Sequence, residues 1–444
     1  MSQTKTIARS PLLATAVFLG SFMALLDASV VSVALPTIQR ELHAEFTDLQ
    51  WIVDGYTVAL AALILTGGTL GDRYGRKRIY LGGLAVFTLA SLGCGLAPTL
   101  ELLIAARAGQ GIAAAAVIPG GIALLAHAYP EPRERARMLG AWGGVAGCAL
   151  VIGPLIGGPI TDTLGWPTIF LINLPIGVLA VLAGRRGLAE SSDPAHGALD
   201  LPGQVLGALW IGSFTYAVIA SDAAVAVVGA LGLIAFIVVE LRAPHPMLPI
   251  RLFGKFRFAA SIFTSFVIGF ACYPLPVLIA VYLQQARGST ASTAGVQMLP
   301  YVVANAVLAF FSGRLAGRFT AERLLPIGLA ITAAGSFAFL LVDPASSDWL
   351  LSVPLTLSGV GLGLSITPTN VVGLAGLPVQ RTGTAAGTVN AARQVGMALG
   401  VAALGALLDH GSTLTTGLQT AMAVAGAALL AVTVLTAATL RSAR

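Results

Sequence analysis

The chain has 444 residues, of which 56% are hydrophobic and only 10% charged, and its mean hydropathy is +0.87. Soluble domains carry about 25% charged residues, so this composition lacks the polar surface a water-facing globule needs and points to an integral membrane protein. The net charge of +6 invites a nucleic-acid reading, which the placement of the charges removes.

Met1–Ser10 is a short polar piece, followed by an apolar run over 11–36. That run is too long for a signal-peptide core and ends without a small-residue cleavage site, so it is expected to be kept as a first span. It contains Asp27, nine residues before Pro36, or roughly 13.5 Å of helical rise. Further spans are expected at 49–71, which holds Asp54, and at 79–100, 102–130, 138–161 and 164–184. Two more follow at 201–221 and 223–239, the second short at 17 residues. Six more cover 258–286, 288–313, 324–342, 349–380, 382–408 and 411–440. About 20 apolar residues cross the hydrocarbon as a helix, and these runs are too long and too uniform for barrel strands. The expectation is an all-α integral membrane protein of 14 spans, with only Asp27, Asp54, Arg107 and Arg393 charged inside them.

Cys94, Cys148 and Cys272 sit singly in apolar runs and read as small hydrophobes. The five histidines show no metal-ligand spacing. No phosphate loop or nucleophile elbow appears, so neither an enzyme nor a metal or cofactor site is expected.

Lysine and arginine set the orientation. With the N-terminus inside, 21 of the 25 basic residues fall in inner segments, including Lys5, Arg9, Arg73, Arg76, Lys77, Arg78, Arg381 and Arg444. Only Arg40 and Arg287 lie in outer loops, and those loops carry Glu41, Glu45, Asp48, Glu101 and Asp162 among their acids. Both termini are then cytoplasmic in a multi-pass cell-membrane protein. The positive charge is a topology signal and requires no nucleic acid.

A repeat divides the chain. GTLGDRYGRKR begins at Gly68 and GRLAGRFTAER at Gly313, pairing Leu70 with Leu315, Arg73 with Arg318 and Tyr74 with Phe319. Each copy closes the second span of a six-span block. The expected units are 1–190 and 251–444, joined by a linking pair of helices in 191–250. Paired halves are the layout of a transporter with a site between them.

The intramembrane residues admit specific readings. Desolvation favours a neutral Asp27 and water an ionised one, so alternate wetting would make it a proton carrier; a protonated structural acid is the rival. Asp54 is either a second coupling carboxylate or an interfacial acid facing water. Trp51 and Tyr56 offer a cation–π face, although interfacial anchoring also suits Trp51. Asn390, Arg393 and Gln394 form a polar patch, readable as an anion contact or as helix-to-helix hydrogen bonding. In the first repeat loop, Asp72 can meet a helix N-terminus or a cation across the halves and so latch one state, with Gly75 permitting the turn. An orienting basic loop explains only the arginines.

These residues resemble a known family. GTLGDRYGRKR is similar to the loop signature of the major facilitator superfamily, with Gly68, Leu70, Asp72, Arg73, Gly75, Arg76 and Lys77 in place. LLIAARAGQGIAAA resembles its fourth-span signature through Arg107, Gln110 and Gly111. GPLIGGPI resembles the fifth-span signature of antiporters through Gly153, Pro154, Gly157 and Gly158, with Ala149 where a glycine is usual. LLDASVVSVALP, WIVDGY, IFLINLPIG (which holds Asn173) and GTAAGTVNAARQVGMALGVA are together similar to the 14-span drug:proton antiporter branch.

The resemblance implies two six-helix bundles plus two central spans, with Arg107 coupling protons near Asp27 or, alternatively, clamping backbone carbonyls. Trp51, Tyr56, Gln110, Asn173, Asn390, Arg393 and Gln394 are then the candidates for lining a cavity. The implied activity is proton-driven export of a small amphipathic or cationic drug-like compound by a monomer in the bilayer, with the proton gradient in place of any cofactor. A dedicated exporter of one compound, a symporter for uptake and a membrane sensor are the rivals.

Overall fold

A computed structural model describes residues 11–192, 200–243, 246, 248, 250–375 and 382–441. Lys5, Arg9, Arg381, Arg444 and the end of the expected span 349–380 lie outside the described residues. The described residues form helices and no strand. The first helices are α1 (Pro11–Leu42), α2 (Phe46–Tyr74), α3 (Arg76–Gly95), α4 (Leu100–Ala128), α5 (Pro132–Leu164), α6 (Thr168–Leu171) and α7 (Asn173–Gly187). Then come α8 (Leu201–Ile219) and α9 (Ala223–Arg242). The remainder are α10 (Phe256–Cys272), α11 (Leu275–Val281), α12 (Ala291–Gln297), α13 (Leu299–Phe319), α14 (Ala321–Ala338), α15 (Asp348–Leu374), α16 (Thr382–Asp409) and α17 (Leu414–Arg441).

Short polar residues start several of these helices by accepting their free N–H groups. The Thr99 hydroxyl accepts from Leu102 N, the Asp200 carboxylate from Gly203 N, and the Asp222 carboxylate from Ala224 N and Val225 N. Large apolar side chains such as Leu89, Leu179 and Leu231 are more than half exposed on the outside of the bundle. Such a surface is suited to lipid, and the protein is a multi-pass membrane protein.

Thirteen helical stretches among the described residues are long and apolar enough to cross a membrane, one fewer than expected. The missing one is α8, whose Gln204, Trp210 and Tyr216 dilute its apolar character. The short run expected at 223–239 extends instead to the 20 residues of α9 and is strongly apolar.

Three expected continuous spans are interrupted at prolines, which lack the N–H an α-helix needs and crowd the preceding turn. Pro175 follows the α6–α7 break, Pro274 lies in the α10–α11 break with Pro276 just after it, and Pro300 follows the α12–α13 break.

In the first part of the chain α1 packs on α5 and α7, and α4 on α2 and α3. In the last part α15 packs on α13 and α14, and α16 on α10. The two parts meet through α2 with α16, α5 with α12 and α13, and α1 with α11. At the end where α1 turns into α2 they are bolted together. Gln50 Nε2 donates to the carbonyls of Val401 (3.3 Å) and Ala402 (3.0 Å), and Gln284 Nε2 to that of Val33 (2.8 Å). Asp162 accepts from Ser292 N at 2.8 Å.

The sequence repeat is also a backbone repeat. Gly75, between α2 and α3, has φ +108°, and Thr320, at the same place between α13 and α14, has φ +64°. The guanidinium of Arg73 lies 5.4 Å from the Tyr74 ring centre, and that of Arg318 5.5 Å from the Phe319 ring. Glycine adopts a positive φ freely; a β-branched threonine does so at a cost of about 1–2 kcal/mol. Thr320→Gly is therefore expected to stabilise the protein by about 1 kcal/mol. A rise in melting temperature in detergent checks it, and a fall contradicts it.

Candidate functional site

Asp27 occupies the centre of a closed polar cluster built from five helices. Its side chain is fully enclosed. Oδ2 pairs with Arg107 Nη1 from α4. Oδ1 accepts from Gln110 Nε2 of α4 and from Asn173 Nδ2 of α7, each at 2.8 Å. Ser91 of α3 accepts further bonds from Gln110 (2.8 Å) and Asn173 (3.3 Å). The Cys94 thiol reaches Gln110 Oε1 at 3.4 Å.

Arg107 is almost as enclosed, at 1% exposure. Its Nε donates to the Ile52 carbonyl of α2 at 3.0 Å, Nη1 also reaches Gln110 Oε1 at 2.8 Å, and the guanidinium lies 4.7 Å from the Tyr56 ring centre. It thus contacts the carboxylate and a backbone carbonyl at once.

The cluster can form because the helices approach closely. A Cβ on Gly111 would overlap the Tyr56 backbone, and one on Gly67 the Ala115 backbone. Taking an ion pair out of water costs several kcal/mol per ion, offset here by mutual attraction and by polar neighbours on both partners.

Asp54 is equally enclosed but stands apart in its bonding. Oδ1 accepts from the Thr57 hydroxyl at 2.8 Å, and Oδ2 has no hydrogen-bond partner among the described residues. Its full burial rules out the interfacial, water-facing reading in this state. Trp51 faces away from the cluster and packs on Tyr216 of α8, ring centres 6.0 Å apart. Tyr56, Gln110 and Asn173 are buried around Asp27 and Arg107 and line no open space here.

In the first repeat loop Asp72 pairs with Arg76 one turn on, at 2.7 Å. A residue not read from the sequence takes the helix N-terminus instead. Glu190 accepts from Lys77 N (3.0 Å) and Arg78 N (3.2 Å), where the end of α3 favours an anion. Arg76 N donates to the Ser191 carbonyl at 2.8 Å, and Lys77 Nζ to that of Arg185 at 3.0 Å. Gly75 is buried against Glu190, Arg73 is exposed, and Gly68 is near Pro119 of α4.

On α5 the fifth-span residues form two stripes at a spacing of four, the repeat of a helix face. Gly153 and Gly157 seat against Ser29 and Val30 of α1. Pro154 and Gly158 seat against Gly295, Ala291 and Ser292 of α12. Ala149, in place of the usual glycine, is fully buried, and its carbonyl accepts from the Ser29 hydroxyl at 3.2 Å.

Asn390, Arg393 and Gln394 lie on α16, all partly exposed. Arg393 Nη2 donates to Asn390 Oδ1, and its guanidinium is 6.0 Å from the Tyr273 ring centre.

Ser91 and Glu190 left only faint signals in the sequence: a lone serine in an apolar run, and one acid after Arg185 and Arg186. Both act on residues far away in the chain.

Known proteins share this organisation. The family model described as Major Facilitator Superfamily matches residues 17–401. Multidrug resistance protein Stp of Mycobacterium tuberculosis (strain CDC 1551 / Oshkosh) is 37% identical over 399 residues, which is 88% of this chain and 74% of the relative. The methylenomycin A resistance protein of Bacillus subtilis (strain 168) is 34% identical, covering 92% of this chain and 90% of the relative. A bacterial homologue of the human lysosomal transporter Spinster, solved inward-facing and unoccupied, superimposes with a TM-score of 0.66 at 17% identity, over 99% of this chain and 97% of that one. With these matches and the helical fold above, the chain belongs to the Major Facilitator Superfamily, a family of transporters and not of enzymes.

Proposed function

We propose that the protein exports small drug-like compounds across the cell membrane in exchange for protons. The observation that carries this is the enclosed Asp27–Arg107 pair, in a chain whose relatives over most of its length are named for multidrug and antibiotic resistance. Asp27 pairs with Arg107 and accepts hydrogen bonds from Gln110 and Asn173. A proton delivered to Asp27 would weaken its hold on Arg107 and free α4 to move against α1. Asp54, with an oxygen that has no partner among the described residues, is the second proton carrier. Proton uptake from outside and substrate release there are then linked by alternating access.

The basic residues support cytoplasmic termini, so the end bolted by Gln50, Gln284 and Asp162 is the outer face and the state is inward-open. The helix contacts support two six-helix units joined by α8 and α9, with α8 as a fourteenth span. Its 19 residues reach about 28 Å, close to the hydrocarbon thickness. The working unit is a monomer, the latch loop 72–78 biases one state, and no cofactor beyond the proton gradient is needed.

Everted membrane vesicles test the coupling. Imposing a pH gradient is expected to drive accumulation of a fluorescent drug, and collapsing the gradient to stop it within the dead time of addition. Accumulation that persists without the gradient would remove proton coupling. A dedicated exporter of one compound is favoured by relatives named for a single antibiotic. A substrate panel in a strain lacking its own pumps separates one protected compound from many.

A further inference from the structure

The charges at mid-depth point to the kind of compound carried, given that the protein is an exporter as read above. Asp27 has both oxygens occupied and no exposure, and Asp54 is fully enclosed. Neither carboxylate offers a surface to a cation in this state. Arg107 is neutralised by Asp27. The helices from α10 onward carry no acid in their interiors, Glu322, Asp348 and Asp409 standing only at helix ends.

Arg393 is different. It lies in the middle of α16, on the same face as Asn390 and one residue before Gln394. Among the described residues no carboxylate lies within ion-pair distance of it, and its hydrogen-bond partner is the neutral Asn390. It is partly exposed. A guanidinium turned to hydrocarbon at mid-span costs several kcal/mol, so its open side must face water between the two halves. Its depth agrees: Arg393 is nine residues along α16 from Ala402, and Tyr56 is six residues along α2 from Gln50, the residue that bonds Ala402. Both are therefore roughly 9–13 Å inward from that contact, level with the Arg107–Tyr56 pair.

Beside Arg393 runs an aromatic stripe on α10 and its end. Phe266, Phe270 and Tyr273 follow at spacings of four and three, all partly exposed, where the residues between them are buried. The Phe266 and Phe270 rings are stacked at 6.4 Å, and the Tyr273 ring faces the guanidinium. An arginine presents five donors in a planar fork that matches a carboxylate, and at most a few of these are used by Asn390.

We propose that Arg393 and the Phe266–Phe270–Tyr273 stripe form a subsite for an anionic amphipathic compound, the guanidinium taking its acidic group and the rings its apolar body. Arg393 is then the residue that selects substrate charge, and the preferred cargo is an organic acid, not the cation that intramembrane carboxylates alone suggest.

Three fluorescent probes with one naphthyl body and different heads test this on the detergent-solubilised full chain: 1-naphthylacetate, 1-naphthylmethanol and 1-naphthylmethylammonium. The acetate is expected to bind at least ~10-fold more tightly than the ammonium, the range of a hydrogen bond to a charged group. Arg393→Gln should erase that preference by weakening the acetate most of the three, and Arg393→Lys should keep part of it. A melting temperature in detergent equal to that of the unchanged protein shows that the Gln variant is folded. Equal or tighter binding of the ammonium, no binding of the acetate, or a preference that survives Arg393→Gln would each overturn the proposal. The exporter reading is judged separately, by antibiotic accumulation in an efflux-deficient strain: no effect of expression there would remove that reading while leaving the binding preference in place.

Discussion

Asp27→Asn is expected to abolish gradient-driven efflux and to lower stability by about 3–5 kcal/mol, the cost of leaving one member of a buried ion pair without its partner. Arg107 would stay in a site of 1% exposure, still bonded to the Ile52 carbonyl and Gln110 but with no carboxylate. The amide could not accept at both former carboxylate oxygens, and Gln110 and Asn173 both donate to Oδ1. Pairing the change with Arg107→Gln removes the orphaned charge. That double variant is expected to regain most of the lost melting temperature and none of the efflux. Stability untouched by Asp27→Asn would mean that the pair is not closed in the membrane. Efflux untouched by it would take away the coupling role.

Gly158→Leu is expected to open the bolted end and stop transport. A Cβ at this position would stand 2.5 Å from the Ala291 carbonyl oxygen and 2.6 Å from Ser292 Cα. These are backbone atoms of α12, so no side-chain rotation relieves the overlap, and α5 and α12 must separate. Asp162 then loses Ser292 N, its partner at 2.8 Å. A cysteine placed at Ala294, fully buried here, reports the opening once exposed Cys148 is replaced by serine. Maleimide labelling of that cysteine should rise at least ~10-fold, the response to an equilibrium moved by 1.4 kcal/mol or more. Gly140→Leu, where a Cβ meets open space, should leave labelling as it was. Equal labelling in the two variants would contradict the role given to Gly158.

Much of this was legible because hydrocarbon makes every intramembrane charge costly. Asp27 and Arg107 stood out from an apolar background, and the structure pairs them. The repeat loops were legible for a related reason: Gly75 marked a turn that the backbone makes with a positive φ, and Arg73 and Arg318 marked helix ends. What could not be read was partnership across distance. Ser91 and Asn173 are 82 residues apart and share a hydrogen bond, and Glu190 reaches back more than 110 residues to the start of α3. Composition places such residues in a span or a loop but does not say which neighbour they will meet.

Asp72 shows the same limit, since a bond one turn away to Arg76 competes with any reach across the halves. Trp51 was ambiguous for another reason: an indole near a helix end suits an anchor, a cavity wall or a packing surface, and here α8 provides the packing surface.

That helix has a mechanical consequence. α8 touches both α2 and α16, the two helices that meet along one side of the seam between the halves. Gln204 bonds the Ala62 carbonyl of α2, and Tyr216 packs on Trp51. It also presents Leu201, Val205 and Leu209, spaced by four residues and 45–65% exposed. An acyl chain approaching that side of the seam meets this greasy strip before it meets the gap. α8 thus covers the α2–α16 contact from that side and stands between it and lipid.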